Sequence, residues 1–176
     1  MNQSLQESQP SQNRQRRFVS FRLEEDAFAL PLERVERALR MVAPVQLPQA
    51  PSWVLGVINM HGQVLPVLDL GQRFGRDAKK PRPEQRLLVM SQQPRNVALL
   101  VDQVERVLSA HEDRLEPPSG HLAGSQVLAG VLKNNEELVL VLDPDRLAPL
   151  DWEKHEETFK AMEQEAALRE ELEQQQ

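Results

Sequence analysis

The chain has 176 residues, 40% of them apolar, which suffices for one ordinary domain or two very small ones. It contains no cysteine and no tyrosine, so disulfides and thiolate metal sites are excluded and the core must be built mainly from aliphatic side chains. The net charge of −6 comes from residues 151–176, which hold nine acidic and three basic side chains, and the neutral remainder argues against a nucleic-acid-binding surface.

Polar residues without periodicity fill the start of the chain, so residues 1–15 are expected to be a disordered N-terminal segment. From residue 18 onward, apolar side chains alternate with Ser20 and Arg22, which predicts a half-buried strand. A polar break and a second apolar run follow, so residues 18–30 are predicted to form a β-hairpin. Helix-like spacing of apolar residues then predicts one helical turn before a third strand near 38–42.

A second hairpin is predicted at residues 56–69, GVINMHGQVLPVLD, where two apolar runs flank a turn at 59–62. A charged loop that contains proline follows at 76–85, and we expect the boundary between two subdomains near 76–86. Beyond this loop, apolar runs predict strands over 86–92, 96–101 and 104–110 and a last hairpin over 128–142.

An internal repeat relates the two halves of the chain. A shift of 74 residues places 56–69 on 130–143 without a gap, and a shift of 69 residues places 28–39 on 97–108. Because the matches keep their order, they indicate a structural duplication with about five short strands in each half. Small barrels protect the edges of such short sheets, so the predicted fold is mainly β, with two five-stranded SH3-like β-barrel subdomains.

Residues 151–176 are predicted to form an acidic C-terminal α-helix, because the segment lacks glycine and proline and Asp151 can cap its first turn. Trp152, Phe159 and Ala166 recur every seven residues and make a narrow apolar stripe. The helix either docks on its own domain and frays after about residue 167, or it presents the stripe to a partner or a short coiled coil. We favour docking, because the stripe is too short for a specific coiled coil.

Nothing in the sequence has the pattern of a catalytic, cofactor-binding or metal-binding site. No histidine has the spacing of a metal motif or lies near a nucleophile elbow, and the glycines form no phosphate-binding loop. Asp69 and Asp143 occupy equivalent strand ends in the repeat, each before a short helical segment, and both are predicted to be helix N-caps. We therefore expect a protein that is not an enzyme and uses no cofactor.

Three motifs in the first half of the chain resemble the CheW-like domain family. They are FVSFRL at 18–23, FALPLERV at 28–35 and PQAPSWVLGVINMHGQVLPVLDL at 48–70. The similarity extends over residues 16–150, and it implies two small five-stranded barrels, in agreement with the repeat. It also implies a non-catalytic adaptor, because members of the family couple methyl-accepting chemoreceptors to the histidine kinase CheA. They bind the cytoplasmic tip of the receptor and the CheW-like regulatory domain of the kinase.

The resemblance further implies a receptor-facing groove on this chain. Its residues would be Leu32, Val35, Arg37, Gly56, His61, Gly62, Ala98 and Val104. Two of them depart from the family's pattern, since His61 replaces an arginine that is common in the turn and Arg37 replaces a common glutamate. These two side chains cannot form the acid–base pair that the family's residues can form. The departures favour a chemosensory pathway whose output is not flagellar swimming.

Two functions are weighed for this sequence. The first is an adaptor that couples chemoreceptors to a CheA-type histidine kinase, and the alternative is a CheW-like scaffold that localises partners without regulating a kinase. No apolar run reaches the roughly 18 residues of a membrane span, and the first residues carry no hydrophobic segment. We therefore expect a cytoplasmic protein that does not insert into the membrane and has no nucleic-acid partner.

Overall fold

Ten strands make up the body of the chain in the computed structural model, which describes residues 14–119 and 125–175. The strands are β1 (Gln15–Leu23), β2 (Asp26–Pro31), β3 (Val35–Arg40), β4 (Val54–Met60), β5 (Gln63–Asp69), β6 (Arg86–Met90), β7 (Val97–Val101), β8 (Gln103–His111), β9 (Leu128–Asn134) and β10 (Glu137–Leu142). Most of the segment expected to be disordered, residues 1–13, lies outside the described residues, but Gln15 already belongs to β1.

Helices occupy the connections and the C-terminal segment. The α-helices are α1 (Leu70–Arg73), α2 (Pro144–Leu147) and α3 (Trp152–Gln174), and short 3-10 helices cover Leu32–Arg34, Glu112–Arg114 and Ser125–Val127. The predicted C-terminal helix is confirmed, because α3 follows directly on Asp151, whose side chain accepts a hydrogen bond from the Lys154 N–H at 3.2 Å. This bond satisfies one of the free donors of the first helical turn.

The strands form two five-stranded sheets, which confirms the predicted mainly-β fold. In the first sheet the strand order is β8-β1-β2-β10-β9, and in the second it is β3-β6-β7-β5-β4. The pairs β2–β10 and β5–β7 are parallel, and the remaining neighbours are antiparallel.

The two sheets are not the two halves of the chain, so the boundary expected near 76–86 is wrong. The loop at 74–85 leads to β6, and β5 and β6 both lie in the second sheet. The first sheet takes β1 and β2 from the first half and β8 to β10 from the second, while the second sheet takes the complementary strands. The chain therefore crosses between the sheets after β2 and again after β7, and a charged surface loop marks neither crossing.

The internal repeat is nevertheless real, because equivalent residues make equivalent contacts. Ala29 in β2 pairs with Val141 in β10, and Ala98 in β7 pairs with Val67 in β5. The shift of 69 relates the two alanines, and the shift of 74 relates the two valines. The molecule thus has an approximate internal two-fold relationship in which the halves have exchanged three of their five strands.

Each sheet encloses a small core of its own. In the second sheet this core consists of Ile58, Leu65, Val67, Leu87, Val89, Ala98 and Leu100. Leu39 from one edge strand and Met60 from the other edge strand pack against the same cluster. Because the two edges meet at one cluster, the sheet curls into a small barrel. The first sheet does the same around Phe18 and its neighbours.

The outer faces of the two barrels share a larger core. Phe21 and Phe28 of the first sheet pack there with Leu68 and Leu99 of the second, and Phe159 of α3 joins them. Several central strands are therefore buried on both faces, which explains why β6 and β7 read as continuous apolar runs rather than as alternating patterns.

Gly56 and its repeat equivalent Gly130 lie where another segment crosses the strand. A Cβ atom added to Gly56 would lie 2.2 Å from the carbonyl oxygen of Val45, and one added to Gly130 would lie 2.8 Å from that of Glu116. The crossing segments form two-way backbone bridges, at Val45 with Val57 and at Glu116 with Val131. Glycine is thus required at position 56 by close packing of main chain on main chain.

Candidate functional site

Three of the predicted groove residues lie where the chain crosses between the sheets. Leu32 begins the 3-10 helix that leads from β2 to β3, Val35 begins β3, and Val104 lies at the start of β8. All three are half-buried and pack against the shared core. Val35 and Val104 are repeat equivalents, so the crossing after β2 and the crossing after β7 each present a related apolar side chain. We call these three residues the seam.

Charged side chains border the seam. Arg37 is exposed on β3, and the neighbouring Glu36 accepts a hydrogen bond from Asn96 at 2.8 Å. Arg34 donates to the carboxylate of Asp145 at 2.7 Å. The hydrogen bond from Arg34 holds the pKa of the Asp145 carboxyl below its usual range, against a smaller opposing effect of desolvation.

On the other side of the seam, Arg22 forms ion pairs with Glu105 at 2.8 Å and with Glu137 at 2.5 Å. The hydrogen bond to Glu105, followed by that to Glu137, raises the pKa of the Arg22 guanidinium further above its already high value. These bonds tie β1 to β8 and β10 across the first sheet. They help to fix the position of the strand that carries Val104.

His61 and Gly62 form the two-residue turn between β4 and β5. Their φ values are +51° and +80°, which is the pattern of a type I′ hairpin turn. The N–H of Gly62 donates to the side-chain oxygen of Asn59 at 2.9 Å, which stabilises the turn. The His61 side chain is exposed at the tip, so the structure leaves it accessible to a partner.

Two predicted groove residues do not reach the surface. Ala98 is completely buried in the small core that the second barrel encloses, and Gly56 is buried beneath Val45. Neither residue lines an exposed groove in this structure, so their inclusion among the partner-contacting residues is corrected. Their small size serves internal packing, and that constraint accounts for both residues without a partner.

The helix α3 docks on the second barrel. His155, Phe159 and Ala166 are buried, and the guanidinium of Arg95 lies 4.4 Å from the centre of the Phe159 ring. Arg95 also pairs with the carboxylate of Glu163, and it donates to the carbonyl oxygen of Val64 at 3.0 Å. Docking on the chain's own domain is therefore confirmed over the first four turns. The helix continues to Gln174 instead of ending near residue 167.

The distal part of α3 reaches the predicted groove, which the sequence did not suggest. Asn59 donates to Glu170 at 3.4 Å, so the helix ends beside the turn that carries His61. Glu163 and Glu170 are seven residues apart and face the barrel on the same side as Phe159 and Ala166. The signal in the sequence is that Glu163 and Glu170 lie four residues after Phe159 and Ala166, which places them on the same side of the helix as the apolar stripe.

The two strand-end aspartates are helix caps, as predicted. The Asp69 carboxylate accepts from the Gln72 N–H at 3.2 Å, and the Asp143 carboxylate accepts from the Asp145 N–H at 3.0 Å. Across residues 14–119 and 125–175, no group of three or more His, Cys, Asp or Glu side chains is arranged to hold a metal ion. None of the helices in these ranges has the length and hydropathy needed to cross a membrane.

Comparison with known proteins finds one family. A family model described as the CheW-like domain matches residues 17–151. The chemotaxis protein CheW of Helicobacter pylori is 24% identical over 136 residues, which are 77% of this chain and 82% of that protein. Protein FrzA of Myxococcus xanthus is 32% identical over 135 residues, which are 74% of this chain and 83% of that protein.

A solved structure has the same fold. The crystal structure of the scaffolding protein TtCheW from Thermoanaerobacter tengcongensis superposes with a TM-score of 0.73 at 24% sequence identity, over 78% of this chain and 95% of that one. The stretch matched by the family model ends at residue 151, directly before α3. The docked helix therefore lies outside the matched region.

Proposed function

This chain belongs to the CheW-like domain family, and we propose that it is a non-catalytic adaptor that couples chemoreceptors to a CheA-type histidine kinase in chemosensory signalling. The observation that carries the proposal is the match of the family model to nearly the whole ten-stranded body, from residue 17 to residue 151. An adaptor with these partners works in the cytoplasm without entering the membrane.

The seam supplies the surface for a receptor. Leu32, Val35 and Val104 are apolar and half-buried, so each has apolar area left for contact with a helical hairpin tip. Arg37 and His61 are exposed, so their side chains can hydrogen-bond to a partner that binds this surface. Gly62 has no side chain to keep a partner's main chain away from the turn, and the atom nearest to an added Cβ would be a carboxylate oxygen of Glu170, at 4.0 Å.

The mechanism is binding alone. The two barrels hold the receptor tip and the regulatory domain of the kinase in a fixed relation, and the receptor's state shifts the populations of active and inactive kinase. Since the adaptor is rigid through its shared core, a small movement of the receptor reaches the kinase without a chemical step. The departures from the family's pattern at Arg37 and His61 favour a chemosensory output other than flagellar swimming.

Binding measurements on the full chain test the proposal. The purified protein is titrated with the regulatory domain of a CheA-type kinase and with the cytoplasmic tip of a chemoreceptor, both from the same organism. We expect both to bind, and we expect Arg37→Glu to weaken receptor binding while kinase binding is unchanged. Arg40→Glu, on the same strand, is the matched control. Receptor binding without any kinase binding refutes the proposal and supports the localising scaffold.

A further inference from the structure

One outer face of the first barrel is open where its twin on the second barrel is covered. The face contains Leu138 and Leu140 of β10, and Leu140 lies beside Phe28, whose ring stacks on that of Phe74 at 5.2 Å. Leu138 is 56% exposed, and Leu140 and Phe74 are half-buried. We call Leu138, Leu140 and Phe74 the Leu138 face.

The internal repeat identifies the equivalent positions in the second barrel. The residues that correspond to Leu138, Leu140 and Phe74 are Val64, Pro66 and Ala148. All three are buried, and Val64 is only 2% exposed.

The helix α3 is what covers Val64. Glu163 accepts a hydrogen bond from the Val64 N–H at 3.4 Å, and Phe159 and Met162 pack in the same apolar cluster as Val64. The second barrel therefore uses this face to bind a helix. The first barrel has the same face, with a larger apolar side chain at each of the three positions and no helix packed on it in the described residues.

The same helix carries an unpartnered apolar stripe on its far side. Leu168 and Leu172 are one helical turn apart and are 58% and 56% exposed. Leu168 lies two residues after the buried Ala166, about 200° around the helix axis, so it points away from the barrel. We call Leu168 and Leu172 the outer stripe of α3. The docked α3 packs on the second barrel, whereas the Leu138 face lies on the first.

We propose that the outer stripe of α3 in one copy binds the Leu138 face of a second copy. An apolar helix side is a suitable partner for the Leu138 face, because α3 already packs on the equivalent face of the second barrel. The charges are compatible as well: Lys133, whose ion pair with Glu116 at 3.4 Å is exposed to solvent, lies directly opposite Leu138 on β9, and the exposed Glu171 lies three residues after Leu168. The neutral body of one copy does not repel the acidic helix of the next.

This contact joins two different surfaces, so each copy keeps one free surface of each kind. Such heterologous contacts build open chains, or rings where the rotation closes. A contact made by two leucines of one helix buries little area, which places it among the weak and transient interfaces. Self-association is therefore expected to grow with protein concentration and to weaken with added salt. The inference is independent of the receptor and kinase partners.

Sedimentation velocity on the full chain over a wide concentration range tests the proposal. Wild type is expected to form dimers and larger species as the concentration rises. Leu138→Asp alone and the double variant Leu168→Asp/Leu172→Asp alone are each expected to weaken association by about tenfold or more. Val107→Asp is the matched control, because Val107 is 52% exposed on β8 and belongs to neither surface. Thermal melting checks that each variant folds.

Mixing the two defective variants is the decisive measurement. The Leu138→Asp protein keeps its helix stripe and the helix variant keeps its Leu138 face, so the mixture is expected to form a one-to-one dimer and nothing larger. Wild type that stays monomeric at all concentrations overturns the proposal. Undiminished self-association of Leu138→Asp alone also overturns it, because the helices would then be pairing with each other. Failure of the mixture to form any dimer overturns it as well.

Discussion

Arg95 holds its guanidinium 4.4 Å from the centre of the Phe159 ring, which joins the loop between β6 and β7 to the C-terminal helix. The same guanidinium pairs with Glu163 and donates to the carbonyl oxygen of Val64. One half-buried arginine thus contacts the aromatic anchor of α3, a carboxylate of α3 and the strand beneath it. The helix is therefore an integral part of the second barrel's packing, although it lies outside the region matched by the family model.

Removal of the Phe159 ring and removal of the Arg95 side chain should destabilise the protein to different extents. Phe159→Ala deletes a fully buried ring from the shared core, and we expect it to lower the free energy of unfolding by about 3–5 kcal/mol. Arg95→Ala removes a cation–π contact and an ion pair that are partly exposed, and we expect about 1–2 kcal/mol. Urea denaturation followed by circular dichroism measures both.

The control for these variants is Arg169→Ala, whose side chain pairs with Glu165 on the exposed surface of the same helix at 2.5 Å. It should change the free energy of unfolding by no more than about 0.5 kcal/mol. If Phe159→Ala cost no more than this control, α3 would not be docked in solution.

Position 56 should not tolerate even one added methyl group. Gly56→Ala places a Cβ atom 2.2 Å from the Val45 carbonyl oxygen, so we expect a loss of at least about 3 kcal/mol or a failure to fold. Gly75→Ala is the matched control, because Gly75 also has a positive φ but its added Cβ would meet no atom within 4 Å. Backbone strain alone should cost about 1–2 kcal/mol there. Equal unfolding free energies for the two variants would contradict the crossing at Val45.

The sequence predicts the individual strands and the internal repeat, but it does not predict how the strands pair. Alternating and continuous apolar runs identify individual strands, and the match of 56–69 to 130–143 identifies equivalent hairpins. The two halves have nearly the same pattern, so β3 fits beside β6 as well as it would fit beside its own neighbours. The observed pairing and the shared core both rest on contacts that are distant in sequence, and a local pattern does not show them.

The sequence predicted only part of the candidate site, because the rest depends on contacts between elements that are distant in sequence. Turn chemistry placed Gly62 in a hairpin, where it is found. The apolar spacing assigned Val35 to a helical turn before a strand near 38–42, but the 3-10 turn ends at Arg34 and Val35 already begins β3. The burial of Ala98 and the approach of Glu170 to the turn depend on how strands and helix pack in three dimensions. A sequence pattern shows which side of an element is apolar, and it does not show what covers that side.

The ion pair of Arg34 with Asp145 should make a small, pH-dependent contribution to stability. Because the folded protein holds the pKa of this carboxyl below its ordinary value, its stabilising effect is complete above the ordinary pKa. The effect is lost as the pH falls through the lower, folded-state pKa. Asp145→Asn should therefore lower the free energy of unfolding at neutral pH and leave it unchanged in strong acid.

Unfolding experiments at several pH values, in the wild-type and Arg34→Gln backgrounds, measure this effect. In the Arg34→Gln background the substitution of Asp145 should have no pH-dependent effect, because the partner that lowers the pKa is gone. A pH-dependent difference that persists without Arg34 would assign the effect to another group.

His61 should matter for partner binding and little for stability. The residue is exposed at the tip of the β4–β5 turn and makes no contribution to the barrel core, so His61→Arg should change the free energy of unfolding by less than about 0.5 kcal/mol. An arginine adds a permanent positive charge and further donors at the border of the seam, so the affinity for the receptor tip should change by about tenfold.

Titration calorimetry with the receptor tip measures the affinity, and a urea melt measures the stability. Lys133→Arg, an exposed position on the opposite barrel, is the matched control and should leave the affinity unchanged. Equal affinities for His61→Arg and wild type would remove His61 from the partner surface and restrict its role to the turn.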